Sequence, residues 1–215
     1  MIDSIGFDLD GTLWDYAGRY TEFFSMATKD IPFVHRPTEA EIYAVTGLSA
    51  IDYMTRLYPE LAEESDDLKL SIFKRAEEIG CERILQGEGR LYEGLEASLS
   101  ALSRKYALFI ASNCEPPYLH NFLQYYGLDR YFCDVICQNA DTGIRTKGQN
   151  IQTLCARNGL NSPVFVGDAQ SDADAAMEAG VPFIWASYGY GHVANVRYKI
   201  DKPADLIALA EIIRS

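Results

Sequence analysis

The chain has 215 residues, 48% of them hydrophobic and 12% aromatic, enough to build a sizeable core and to exclude global disorder. Its 19 basic and 31 acidic residues leave a net charge of −12. That argues against nucleic acid as a partner and requires a local positive site for any anionic substrate. No apolar run approaches the roughly 20 residues that span a bilayer, and no signal-peptide core opens the chain, so no membrane partner is expected. The five cysteines (Cys81, Cys114, Cys133, Cys137, Cys155) lack zinc-site spacing and read as reduced thiols of a cytoplasmic protein.

Ile5 to Leu9 reads as a buried strand. From Tyr16 to about Leu85 the pattern becomes amphipathic and helical. "TEAE" at Thr38 to Glu41 is a capping box that starts a helix stopped by Gly47. Ser49 caps a second helix running to about Tyr58, and one long helix starts at Ser65, with Gly80 a candidate bend. After Gly94 helices and strands alternate. Helices fall at about 95–103, 117–126, 147–158, 171–179 and 203–213, with strands "YALFIAS", "FCDVIC", "PVFVGD" and "PFIWAS" between them. Strands separated by helices of this length predict an α/β fold, a Rossmann-like doubly wound parallel sheet. The predicted core is residues 1–15 and 88–215, with a helical insertion, 16–87, between.

In such sheets ligands bind beyond the carboxyl ends of the strands. The first strand ends in Asp8, Asp10, Gly11 and Thr12, and the second in Ser112 and Asn113. Lys147 opens the helix after the third, and the fourth ends in Asp168 with Asp172 four residues on. Alternate strand residues point the same way, so Asp8 and Asp10 converge, and paired carboxylates need a compensating charge. All-oxygen donors suit Mg²⁺, a lysine and a hydroxyl suit a phosphoryl group, and an aspartate can serve as nucleophile. Singly, each feature is more often a turn, a helix cap or a solvated lysine; their coincidence on one rim is what points to phosphoryl chemistry.

"DLDGT" from Asp8, "ASN" ending at Asn113, Lys147 and "GDAQSDADAAMEAG" from Gly167 resemble the four motifs of the haloacid-dehalogenase-like (HAD) hydrolases. The insertion, "LYEGLEASLSAL" and "SYGYG" resemble the phosphoglycolate-phosphatase-like branch with its helical cap. The resemblance implies that Asp8 attacks phosphorus and that Asp10 protonates the leaving oxygen and then activates water. It implies Mg²⁺ held by Asp8, the Asp10 carbonyl and Asp168, with Asp172 supporting the site. It also implies phosphoryl oxygens held by Ser112 and Lys147, with the backbone amides of Gly11 and Asn113 as further donors.

The chain departs from the family pattern at Lys147-Gly148, where Lys-Pro is common, which changes how that helix begins. It departs again at Glu93-Gly94 and at Trp14, which could narrow the substrate space or pack the hinge. Gly11, Thr12, Trp14, Asn113, Arg19 and Gly47 are the substrate-binding candidates, with Tyr16 and Arg56 also near the expected mouth; solvated helix faces are the plainer reading of both arginines. His35, His120 and His192 read as structural or surface residues. The expected function is a Mg²⁺-dependent phosphatase acting on a small phosphomonoester, from a monomer or weak homodimer. A phosphomutase of the β-phosphoglucomutase type is the alternative. Dehalogenase or phosphonatase chemistry is disfavoured by Asp10, and a receiver-type signalling module by the motif order and the long insertion.

Overall fold

The structure, a computed structural model, describes residues 1–137 and 146–213. In chain order these form β1 (Ser4–Phe7), β2 (Trp14–Asp15), α1 (Tyr20–Ala27), α2 (Glu39–Val45), α3 (Ala50–Leu57) and α4 (Asp66–Ile84). There follow β3 (Arg90–Leu91), α5 (Leu95–Leu102), β4 (Ala107–Ala111), α6 (Pro116–Tyr126), β5 (Asp134–Ile136) and α7 (Lys147–Asn158). The chain closes with β6 (Pro163–Gly167), α8 (Gln170–Ala179), β7 (Phe183–Ala186), β8 (Tyr198–Ile200) and α9 (Asp205–Ile212).

Six strands form one sheet in the order β5-β4-β1-β6-β7-β8, every neighbouring pair parallel. Helices flank it, as parallel crossovers require. The order reverses between β1 and β6, paired from Ser4 opposite Pro163 to Phe7 opposite Val166. That is a topological switch point, where such sheets hold ligands. Strand interiors such as Ile5, Phe109 and Val164 to Val166 are buried, which explains why these segments read as apolar runs.

The chain between β2 and β3 is helical. Thr38 and Glu41 form the expected capping box, Ser49 caps α3 and Ser65 caps α4. α4 runs unbroken through Gly80, whose lack of a side chain admits the Tyr20 hydroxyl: a Cβ there would meet it at 2.9 Å. Gly80 is thus a close-approach residue, not a helix break.

Three short strands escaped the sequence reading. β2 and β3 pair antiparallel, Trp14 opposite Leu91 and Asp15 opposite Arg90, at the two crossings between sheet and helices. At two residues each they are too short for a periodicity signal. β8 is three residues, one of them exposed, on the sheet edge. No helix among the described residues is long and apolar enough to cross a membrane.

Candidate active site

The carboxyl ends of β1, β4 and β6 and the N-terminus of α7 meet at one point. Lys147 Nζ donates to Asp8 Oδ1 and to Asp172 Oδ1, each at 2.7 Å, and all three side chains are buried. α7 starts without the proline common in the family. Thr146 caps it instead, in a box with Gln149 (3.1 and 3.2 Å), and the Thr146 hydroxyl also donates to Glu178 at 2.7 Å. Side-chain hydrogen bonds thus hold the helix end that a proline would pre-organise.

Asp168 accepts from the backbone N–H groups of Tyr190 (2.7 Å) and Gly191 (3.1 Å). The second oxygen of Asp172 accepts from the Ala169 N–H at 3.0 Å, in the first turn of α8. Asp8, Asp168 and Asp172 are buried with carboxylate oxygens within 4.8 Å of one another. Three carboxylates against one lysine leave an excess of negative charge, and burial makes that excess costly. Burial, then Asp172, push Asp8 well above the usual carboxylate range, with Lys147 opposing. Burial and Asp172 lift Asp168 to about 7 against the two amide hydrogen bonds. Burial alone would lower Lys147, but Asp172 and Asp8 hold it above its ordinary value. A clustered, all-oxygen donor set with uncompensated charge fits a hard divalent cation.

Asp10 points elsewhere. Its Oδ1 accepts from the Tyr118 hydroxyl at 2.5 Å, and its side chain is not in the carboxylate cluster. Burial pushes it up to about 6, against the Tyr118 hydrogen bond. The nearby Trp14 indole N–H also favours the Asp10 carboxylate but makes no hydrogen bond of ordinary geometry. A carboxyl poised near neutrality beside a nucleophile candidate is suited to proton transfer. The turn after it needs Gly11, whose φ is +79° and where a Cβ would lie 2.4 Å from Asp168.

A cavity of about 60 Å³ opens between this rim and the helices. Asp8, Asp10, Ser112, Asn113 and Gly47 line it. Asn113 Nδ2 donates to the Gly47 carbonyl at 2.8 Å, tying the end of β4 to the α2–α3 loop. Other sequence candidates sit away from the cavity. Thr12 is buried under the turn with its hydroxyl unpaired. Trp14 is fully buried, stacked on Tyr16 with centroids 4.4 Å apart and packed against Phe122. Gly89 leaves room for it, since a Cβ there would come within 2.6 Å of the indole. The Tyr16 hydroxyl donates to the Gly80 carbonyl at 2.9 Å. Arg19 is exposed and pairs with Glu88 at 2.6 Å and Glu22 at 3.4 Å, and Arg56 is exposed. Trp14 and Tyr16 therefore pack the crossing between sheet and helices, while both arginines face solvent.

Two tyrosines were missed as site residues. Tyr118 lies in the first turn of α6, whose start at Pro116 follows the end of β4 by a few residues; that placement on the rim was the available signal. Tyr190 was quoted only inside "SYGYG". Its hydroxyl accepts from the N–H groups of Tyr16 (2.9 Å) and Ala17 (3.2 Å), and its ring stacks on Tyr43 at 4.7 Å. One residue thus joins Asp168, the crossing segment and α2.

Comparison with known proteins identifies the family. The family model for haloacid dehalogenase-like hydrolases matches residues 5–186. The chain belongs to that family. A phosphoglycolate phosphatase from Pasteurella multocida is 26% identical over 211 residues, covering 93% of this chain and 91% of that one. A 5'-nucleotidase from Pseudomonas aeruginosa is 29% identical over 136 residues, 60% of each chain. Among solved structures, a protein of Haemophilus somnus described as a predicted phosphoglycolate phosphatase superposes with a TM-score of 0.84 at 25% identity, covering 97% of this chain and 98% of that one. CbbY from Rhodobacter sphaeroides, in complex with xylulose-(1,5)-bisphosphate, shares the fold with a TM-score of 0.76 at 16% identity, covering 96% of each.

Proposed function

We propose that this HAD-family chain is a Mg²⁺-dependent phosphatase that hydrolyses a small phosphomonoester through an aspartyl-phosphate on Asp8. The observation that carries this reading is the pair of carboxyls on β1's end, one tied to Lys147 and the other to Tyr118. They have different partners and therefore different work. Asp8 attacks phosphorus. Lys147 and the Ser112 hydroxyl hold the phosphoryl oxygens, and Lys147 offsets charge as it builds there. Asp10 gives its proton to the leaving oxygen and later takes one from the attacking water. The cation would be held by Asp8, Asp168 and the Asp10 carbonyl, with Asp172 supporting through Lys147; when bound it screens the nucleophile and the phosphoryl group from each other's charge.

Residues 16–87 act in this proposal as a cap on the core formed by 1–15 and 88–215. The cap excludes water and selects the leaving group. A cytoplasmic location and a monomeric or weakly dimeric state belong to the same reading. The free state of all five cysteines supports the first.

The test is phosphate release from a panel of small phosphomonoesters, with and without Mg²⁺, for wild type and Asp8→Asn. Mg²⁺-dependent release lost in the variant is expected. Conversion of a sugar 1-phosphate to its 6-phosphate without net release would move the reading to a mutase. No turnover of any substrate would overturn it.

A further inference from the structure

The two ends of the cavity are charged differently. At the phosphoryl end Lys147 compensates Asp8 and Asp172. Glu77 of α4 also lines the cavity, together with the rings of Tyr20, Tyr53, Phe73 and Tyr118. Glu77 accepts from the Tyr20 hydroxyl at 2.6 Å, and no Lys, Arg or His among the described residues lines the cavity. Burial drives the Glu77 carboxyl up to about 8, and Asp10 and Glu115 oppose its ionisation further. On its outer side the same carboxyl borders a groove that also holds Glu78, Glu82 and Glu115 against the single Lys74.

A leaving group bearing a carboxylate or a second phosphate would enter this end with no cation to meet it, between Glu77 and Asp10. An ammonium group placed there would favour the ionised form of Glu77, displacing its proton, and would lie against aromatic rings, the surroundings that stabilise such groups. The acidic groove would favour its approach. The cavity's small volume, shared with the phosphoryl group, restricts the leaving group to a few heavy atoms.

We infer that the leaving-group end of this cavity takes a short ammonium-bearing alcohol, so that the substrate is a phosphomonoester of a small amino alcohol. This rests on the phosphatase reading above and deepens it. Glu77 is then a specificity residue that contacts the substrate's cation, and Asp10 serves the bridging oxygen as before.

The experiment compares three phosphomonoesters of nearly equal size and different charge: 2-aminoethyl phosphate, 2-hydroxyethyl phosphate and phosphoglycolate. Each is assayed with Mg²⁺, and acetyl phosphate, whose acyl part is small and carries no charge, serves as a charge-blind control. The expected order of kcat/KM is amino, hydroxy, carboxylate, with at least about tenfold between first and last, a modest demand for one charge contact in a half-buried site. Glu77→Gln should compress that ratio toward one, chiefly through the KM of the amino substrate. Equal rates, or preference for either of the other two, overturn the inference and leave the phosphatase reading standing. So does hydrolysis of the control alone. Failure of all four, the control included, overturns both.

Discussion

The Tyr118 hydroxyl sits 2.5 Å from Asp10 Oδ1, while Asp8, two residues earlier, is held by Lys147 at 2.7 Å. Alternation along β1's end puts both carboxyls on one rim, and their partners then separate their roles. Tyr118 acts on the reaction by positioning Asp10. Tyr118→Phe removes a hydrogen bond to a charged group, about 1.5–3 kcal/mol. The expected result is a fall of roughly 10- to 100-fold in kcat with KM nearly unchanged. Steady-state kinetics decides it, and an equal rise in KM with kcat intact would assign Tyr118 to binding instead.

The fold was largely legible because its signals are local. Apolar runs, Thr38 with Glu41, Ser49, Ser65 and the glycines after α6 and α7 mark the helices and strands where they occur. The motif residues were legible because strand ends share one rim in a parallel sheet. What escaped depends on tertiary contact. Arg19 looks like an anion ligand until Glu88 claims it. Trp14 keeps both readings, pocket wall and hinge packing, until Gly89, which lets it sink beneath Tyr16, decides for packing. Tyr118, Tyr190 and Glu77 matter through partners far along the chain, which no spacing rule encodes.

The buried carboxylate cluster predicts a metal-dependent stability. Mg²⁺ should raise the Tm of the wild type by binding the folded state alone. Asp168→Asn should abolish most of that rise. Differential scanning fluorimetry across a Mg²⁺ titration reads it, and an undiminished shift in the variant would place the ion elsewhere.

Lys147 is the buried counter-charge of Asp8 and Asp172. Lys147→Met leaves both without their counter-charge, and breaking a buried pair costs about 3–5 kcal/mol. Denaturant unfolding at neutral pH without metal should show a loss of that order, partly recovered by Mg²⁺. A loss below about 1 kcal/mol would mean the carboxylates are already relieved by other groups.

Glu77 sets a pH dependence whose sign is fixed. Its folded-state value is pushed up to about 8, whereas an unfolded glutamate titrates near about 4.3. Between those values the folded state binds more protons, so this contribution is full below the unfolded value and is lost as pH rises through the folded one. Glu77→Gln should therefore leave Tm little changed near pH 4 and raise it near pH 9. A variant less stable than wild type near pH 9 would contradict the assignment.

Asn113 closes the α2–α3 loop onto the sheet through its bond to the Gly47 carbonyl. Asn113→Ala keeps the backbone amide and removes that bond, worth about 1 kcal/mol. kcat/KM should fall roughly fivefold. Asn113→Asp, which cannot donate, should fall at least as far. Retained activity in both would show that this contact does not hold the loop during turnover.

The central claim is that Asp8 carries the phosphoryl group. The direct measurement is acid quenching of the enzyme during turnover of ³²P-labelled substrate with Mg²⁺, followed by digestion and mapping of the label. The account predicts acid-stable, base-labile label on the peptide containing Asp8 and none in Asp8→Asn, which should also be inactive. Label mapped to another residue, or full turnover by Asp8→Asn, would contradict it.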